Sequence, residues 1–213
     1  MSKTTSNHKI NKIYKSRRTI LDILSTLRYD VEKSGYFDFG MNQIDIMNEK
    51  SQLDMLISHE TSDKKVYVKY HLTGKQVSSK ILNEIIEDLY EIEQVLTPSD
   101  TLIIIIDEEP NKPTIETLNY IFEKTGVFVV IHNIRRLQFN ILDHSLVPKH
   151  EILNELEKEE LKKKVLMKSF DSLPEISRYD PVALAICMRP GQICKITRES
   201  TAAGYSIFYR ICR

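Results

Sequence analysis

The stretch that decides the reading is Gly191-Gln-Ile-Cys-Lys-Ile-Thr-Arg-Glu-Ser-Thr-Ala-Ala-Gly-Tyr-Ser-Ile-Phe-Tyr-Arg210, close to the carboxy-terminal end of the chain. Gln192 to Arg198 alternates polar and apolar residues, and Ser206 to Cys212 alternates again. A period of two predicts two strands. Between them Ala202-Ala203-Gly204 forms the turn, where glycine takes a positive φ without a Cβ penalty. Three further blocks lie upstream: Leu146-Val-Pro-Lys-His-Glu151, Leu173-Pro-Glu-Ile176 and Asp180-Pro-Val182. Pro174, Pro181 and Gly191 are residue types that shape turns.

The blocks suggest a small α+β unit. Leu146 to Glu151 reads as a proline-containing connector. Asn154 and Glu157 make a capping box for a charged helix over about 155–168. A loop follows over Leu173 to Pro181, then one apolar helical turn at Val182 to Ile186, then the two strands. The boundary is expected near Asp143, giving units 1–142 and 143–213.

The first unit has a different texture. Ile10, Ile13, Tyr14, Arg17, Ile20, Leu21, Leu24 and Leu27 recur at helical spacing, so an amphipathic helix is expected over about 9–28. Gly35 and Gly40 bracket a turn. Leu53 to His59 and Val66 to His71 read as paired strands. Ile81 to Leu96 reads as a second helix, stopped before Pro98. Leu102 to Ile106 lacks alternation, as a strand covered on both faces does. Pro113-Thr114 opens a third helix that Gly126 closes, and Val127 to Ile131 is another apolar strand. Alternating strands and helices predict an α/β unit with a partly parallel sheet.

Composition narrows the function classes. The 213 residues are 41 % apolar and 28 % charged, ordinary for a globular protein. No apolar run approaches the ~18 residues of a membrane span, and the amino terminus is polar and basic without an apolar signal core. Cys187, Cys194 and Cys212 show neither paired nor metal-ligand spacing, which predicts a reducing compartment and no metal site. Net charge is zero, but residues 189–213 carry five Lys/Arg against one acid, and residues 1–18 carry six with no acid. A protein gripping DNA alone would show a larger basic excess.

The four blocks together, in order and spacing, resemble the carboxy-terminal domain of the fifth subunit shared by eukaryotic RNA polymerases I, II and III. The archaeal counterpart in that family consists of this domain alone. The family pattern is roughly L-V-P-x-H, L-P-x-I, D-P-V-A and then G-x-(V/I)-x-K-I-x-R-x-S-x-T-A-G, ending Y-R. Pro148, His150, Leu173, Pro174, Ile176, Asp180, Pro181 and Gly191 fall on that motif. The resemblance implies a non-catalytic structural subunit with no cofactor, no metal, no small-molecule ligand and no membrane. Its surface against the largest polymerase subunit would include Lys195, Arg198, Ser200, Gly204, Tyr209 and Arg210. It implies an α/β jaw domain with a nuclease-like fold lacking its active site, near downstream duplex DNA. In that jaw only Tyr14 to Ile20, Leu53 to Leu56 and the element order match. The loop ending Lys112-Pro113-Thr114 would be DNA-proximal. Other polymerase subunits would be further partners.

Departures are visible. The usual Thr-Ala-Gly reads Ala202-Ala203-Gly204, and Leu184 to Cys187 replaces the family's arginine, aromatics and glycine. Abundant isoleucine, lysine and asparagine, with tryptophan absent, indicate an AT-rich genome, of a protist or a large DNA virus; the departures favour the virus. The location would be the nucleus for a cellular copy and the viral factory or virion for a viral one.

Two rival classes bear on the same residues. Metal-dependent nucleases of the jaw's fold place an Asp on one strand and an acid-x-Lys on the next, the carboxylates holding a metal that activates water. Asp54 and Lys69 fit that spacing, but Tyr67 occupies the second acidic position, and the preferred reading is a cross-strand charge pair or solvated strand ends. Ser200 as a nucleophile would need a base, and no histidine follows His150, so no catalytic residue is expected. The third class is a free-standing adaptor that binds proteins through the small unit. The basic start, Lys9, Lys12, Lys15, Arg17 and Arg18, reads as a solvated helix face.

Overall fold

The computed structural model describes residues 2–72, 74, 77–167, 169–200 and 202–213, with side chains from residue 7 onward. Two compact units meet in sequence between Asn140 and Ile141.

The amino-terminal unit is organised by β3 (Thr101–Ile106), buried at every position. It lies between β2 (Lys65–Tyr70) and β4 (Phe128–Asn133), parallel to both, and β1 (Met55–Ser58) adds antiparallel to β2. The unbroken apolar run follows from that place: a central strand with both faces covered has no solvated side for polar residues. Helix α1 (Ser2–Thr26) buries Ile10, Ile13, Ile20, Leu21 and Leu24, which fall on one stripe at spacings of three and four. Helix α4 (Lys112–Thr125) starts where Asn111 Oδ1 accepts from Thr114 N at 3.0 Å and ends at Gly126 with φ 72°. These are the expected cap and stop.

Three expectations change here. Gly40 does close a turn, but it also opens α2 (Met41–Glu49), whose single buried residue, Ile44, leaves too little periodicity to read. The helix expected over 81–96 is α3 (Ser79–Ile86) followed by a π-helical turn, Glu87–Ile92. That turn brings Val95 N and Leu96 N back to Leu89 O, at 3.0 and 3.2 Å, so the chain closes under buried Leu89. Arg17 is not on a solvated face. It is 1 % exposed on the apolar stripe, its Nη1 donates to Leu53 O at 2.6 Å, and its guanidinium lies over Tyr36 (5.4 Å) and Phe39 (5.6 Å).

The carboxy-terminal unit holds a sheet of order β5-β7-β8-β6. β7 (Ile193–Ser200) and β8 (Gly204–Cys212) form a long antiparallel ribbon with unbroken register from Ile193↔Ile211 to Ser200↔Gly204. β5 (Lys149–Ile152) runs antiparallel to β7, and β6 (Glu175–Ile176) runs parallel to β8. The connector expected over 146–151 and the loop expected over 173–181 thus each contain a short strand whose partner lies far along the chain. Helix α5 (Glu155–Val165) carries the expected capping box, with Glu157 N to Asn154 Oδ1 at 2.9 Å and Asn154 N to Glu157 Oε2 at 2.8 Å. Its Leu161 joins Leu153, Ile193 and Ile211 in a small apolar cluster, flanked by Phe170, Leu173 and Tyr209. The apolar turn after Asp180 is α6 (Pro181–Ala185), capped by Asp180 Oδ1, which accepts from Val182 N at 2.9 Å and Ala183 N at 3.4 Å.

Candidate protein-interaction site

Most of the motif residues build the small unit from inside. Pro174 O accepts from Ile211 N (3.0 Å), and Gly191 N donates to Cys212 O (2.9 Å) with Gly191 at φ 84°. That φ lies in the left-handed region, which glycine enters without strain. Ile176 is buried opposite Cys212. His150 Nδ1 sits 2.7 Å from Pro148 O, and His150 pairs with Ile196 across β5 and β7. Leu173 lies against the apolar cluster. Together these contacts tie three chain segments to the β7–β8 ribbon.

The ribbon itself leaves the core as it runs toward its turn. Ile193 and Cys194 are buried at one end, while Arg198, Glu199, Tyr205, Ile207 and Phe208 are exposed at the other. Register assigns the faces. Lys195, Thr197 and Glu199 share one face with Tyr205, Ile207 and Tyr209; Cys194, Ile196, Arg198 and Ser200 share the other with Ser206, Phe208 and Arg210. The Arg198 guanidinium lies 5.5 Å from the Phe208 ring centre, a cation–π contact. Ser200 Oγ accepts from Ala203 N (3.3 Å) and Gly204 has φ 71°, so both shape the turn; Thr201, between them, lies outside the described residues. Arg210 Nη1 donates to Glu175 O (2.9 Å), which makes this arginine part of the β6 attachment as well as of the surface. Arg213 pairs with Asp171 close by. In the sequence Ile207 and Phe208 read only as strand residues, and Tyr205 falls just before the strand expected over Ser206 to Cys212. Their exposures of 50, 48 and 67 % set them apart, and that break in burial needs the register to be seen.

The rival site is occupied by its own protein. Asp54 accepts from Tyr67 Oη (3.2 Å), Lys69 Nζ (3.2 Å) and Tyr70 N (3.0 Å). Burial, then the Asp54 charge, push the Tyr67 phenol well above its ordinary range, so it stays a neutral donor. A carboxylate already holding three donors, beside a tyrosine where a second carboxylate would be needed, does not match a divalent-cation site. The cross-strand charge pair is what the structure contains.

At the start of α4, Lys112 and Pro113 are exposed, but Thr114 is 2 % exposed. Its hydroxyl lies 2.9 Å from Val77 O and 2.7 Å from Asn111 Oδ1, so it serves the helix start and its packing. This removes Thr114 from the DNA-proximal set. Nearby Glu109 is paired with Arg136 at 2.7 Å.

The carboxy-terminal unit thus presents a strand pair with exposed apolar and guanidinium side chains. Similarity to known proteins gives the family. The family model described as "RNA polymerase Rpb5, C-terminal domain" matches residues 139–212. DNA-directed RNA polymerase subunit Rpo5 of Archaeoglobus fulgidus is 49 % identical over 75 residues, 35 % of this chain and 97 % of that protein. The DNA-directed RNA polymerases I, II, and III subunit rpabc1 of Dictyostelium discoideum is 28 % identical over 203 residues, 95 % of this chain and 98 % of that one. The RNA polymerases IV and V subunit 5B of Arabidopsis thaliana is 27 % identical over 210 residues, 96 % of this chain and 91 % of that one. The chain belongs to the family of the fifth RNA polymerase subunit, which is non-catalytic.

Proposed function

We propose that this chain works inside a multisubunit DNA-dependent RNA polymerase as a structural subunit, with nucleotidyl transfer carried by the two largest subunits. The carboxy-terminal unit docks on the largest subunit through the β7–β8 ribbon. The amino-terminal unit, a nuclease-like α/β jaw, lies beside downstream DNA and presents Lys112 and Pro113 toward it. One observation carries the reading: the unit matched by the RNA polymerase Rpb5 C-terminal domain, over residues 139–212, is also the unit with an exposed apolar and basic strand pair. Arginine and aromatic side chains of that kind dominate binding energy where they become desolvated. The jaw assignment is supported by similarity that spans nearly the whole chain in the slime-mould relative. Location follows the polymerase: the nucleus for a cellular copy, the viral factory or virion for a viral one. The test is a pull-down of the tagged full-length chain, read by mass spectrometry. The expected result is stoichiometric recovery of the largest polymerase subunits; recovery with other proteins only would favour the free-standing adaptor.

A further inference from the structure

The outer edge of β8 is open, and the backbone shows why. Ile211 N donates to Pro174 O on the β6 side (3.0 Å), and Cys212 N donates to Gln192 O on the β7 side (2.8 Å). Amides alternate along a strand, so those of Tyr209 and Ile207 face the β6 side too. β6 has not yet begun there: it starts at Glu175, opposite Ile211. The next rung would need an N–H from residue 174 to reach Tyr209 O, and proline has none. Tyr205 N turns back to Ala203 O at 2.8 Å. Among the described residues, the amides of Ile207 and Tyr209 have no main-chain partner.

Along this edge Tyr209 packs against the small apolar cluster and Phe208 lies under the Arg198 guanidinium, but apolar surface remains exposed. Tyr205 and Ile207 stand out on one face, and Phe208 on the other, between Arg198 and Arg210 in the register. A free strand edge binds extended peptide by main-chain hydrogen bonds, while side chains on alternate faces select the sequence. We propose that the β8 edge from Tyr205 to Tyr209 receives an extended strand of another polymerase subunit, apolar toward Tyr205 and Ile207 and carrying a carboxylate toward Arg198 and Arg210. This rests on the polymerase role proposed above. A second copy of this chain fits less well, because pairing two such edges brings Arg210 of each copy onto one sheet face that carries no carboxylate on β7 or β8, and like charges across a sheet are destabilising.

The test is hydrogen exchange at single-residue resolution on the full-length chain, free and within purified polymerase. Ser206 and Phe208 amides, bonded to β7, exchange slowly in both. The expected result is that Ile207 and Tyr209 amides slow at least about tenfold on assembly, giving a period-two pattern of new protection. Free-chain exchange rates at both residues inside intact polymerase overturn strand addition and leave the subunit role standing. Protection that appears in the free chain as its concentration rises identifies a second copy as the occupant and overturns the proposal. A chain that does not copurify with polymerase at all sinks this inference and the subunit role together.

Discussion

The two units reach stability by different means. In the amino-terminal unit a strand buried at every position is flanked by parallel neighbours, and the burden is shared by many interchangeable aliphatic residues. The carboxy-terminal unit buries fewer apolar residues, among them the cluster of Leu153, Leu161, Ile193 and Ile211, and individual caps, turns and a proline settle where each segment goes. A chain segment of that size buries a smaller fraction of its surface on folding. Single residues there carry more of the specification, which is why that unit is the more recognisable in sequence.

The comparison can be broken. Ile211→Ala and Ile104→Ala each remove a buried isoleucine and should each cost about 2–5 kcal/mol. In the smaller unit that loss approaches the whole stability of a small domain. Limited proteolysis of Ile211→Ala should therefore cut beyond residue 140 while leaving 1–140 resistant, and Ile104→Ala should leave the carboxy-terminal unit intact. Unravelling of both units by either variant would show that they do not differ in this way.

Arg198→Ala sharpens the same contrast at the surface. Its side chain is exposed and stacks on Phe208, so the melting curve should not move. Incorporation into polymerase should fall by about 2 kcal/mol, roughly thirtyfold. Arg210→Ala is a less clean probe, since loss of the bond to Glu175 O also loosens β6. Asp180→Ala removes the α6 cap and should cost about 1 kcal/mol, a fall of roughly 4–8 °C in the melting temperature of a unit this size; an unchanged melt would mean that caps do not carry the small unit. The smallest effect is expected at Lys112→Ala. Assembly should be normal, with the salt dependence of downstream DNA retention reduced by about one unit of slope.

Much of this architecture is legible in the sequence. The β7–β8 alternation, the unbroken apolar run of β3, the Asn154–Glu157 capping box and the Gly126 stop are local patterns, and local patterns survive in sequence. β5 and β6 are not legible, because strands of four and two residues have almost no period of their own; each exists by pairing with a distant segment. Arg17 escapes for a different reason. Its place on the stripe with Ile13, Ile20 and Leu24 is visible, but its charge argues for solvent against its spacing, and spacing wins. Burial lowers the proton affinity of its guanidinium, while Tyr70, Tyr36 and Asp54 partly oppose that. Thr114 shows the same limit at the candidate DNA loop: a hydroxyl at a helix start looks available until its contacts are drawn.

The missing amide proton of Pro174 also bears on the life of the unassembled chain. An unpaired strand edge with exposed aromatic and aliphatic side chains is a template for self-association. Each copy awaiting its partners carries that template, opposed mainly by the like charges of Arg198 and Arg210. On the strand pairing proposed above, the feature that leaves room for a partner strand also makes surplus copies liable to aggregate.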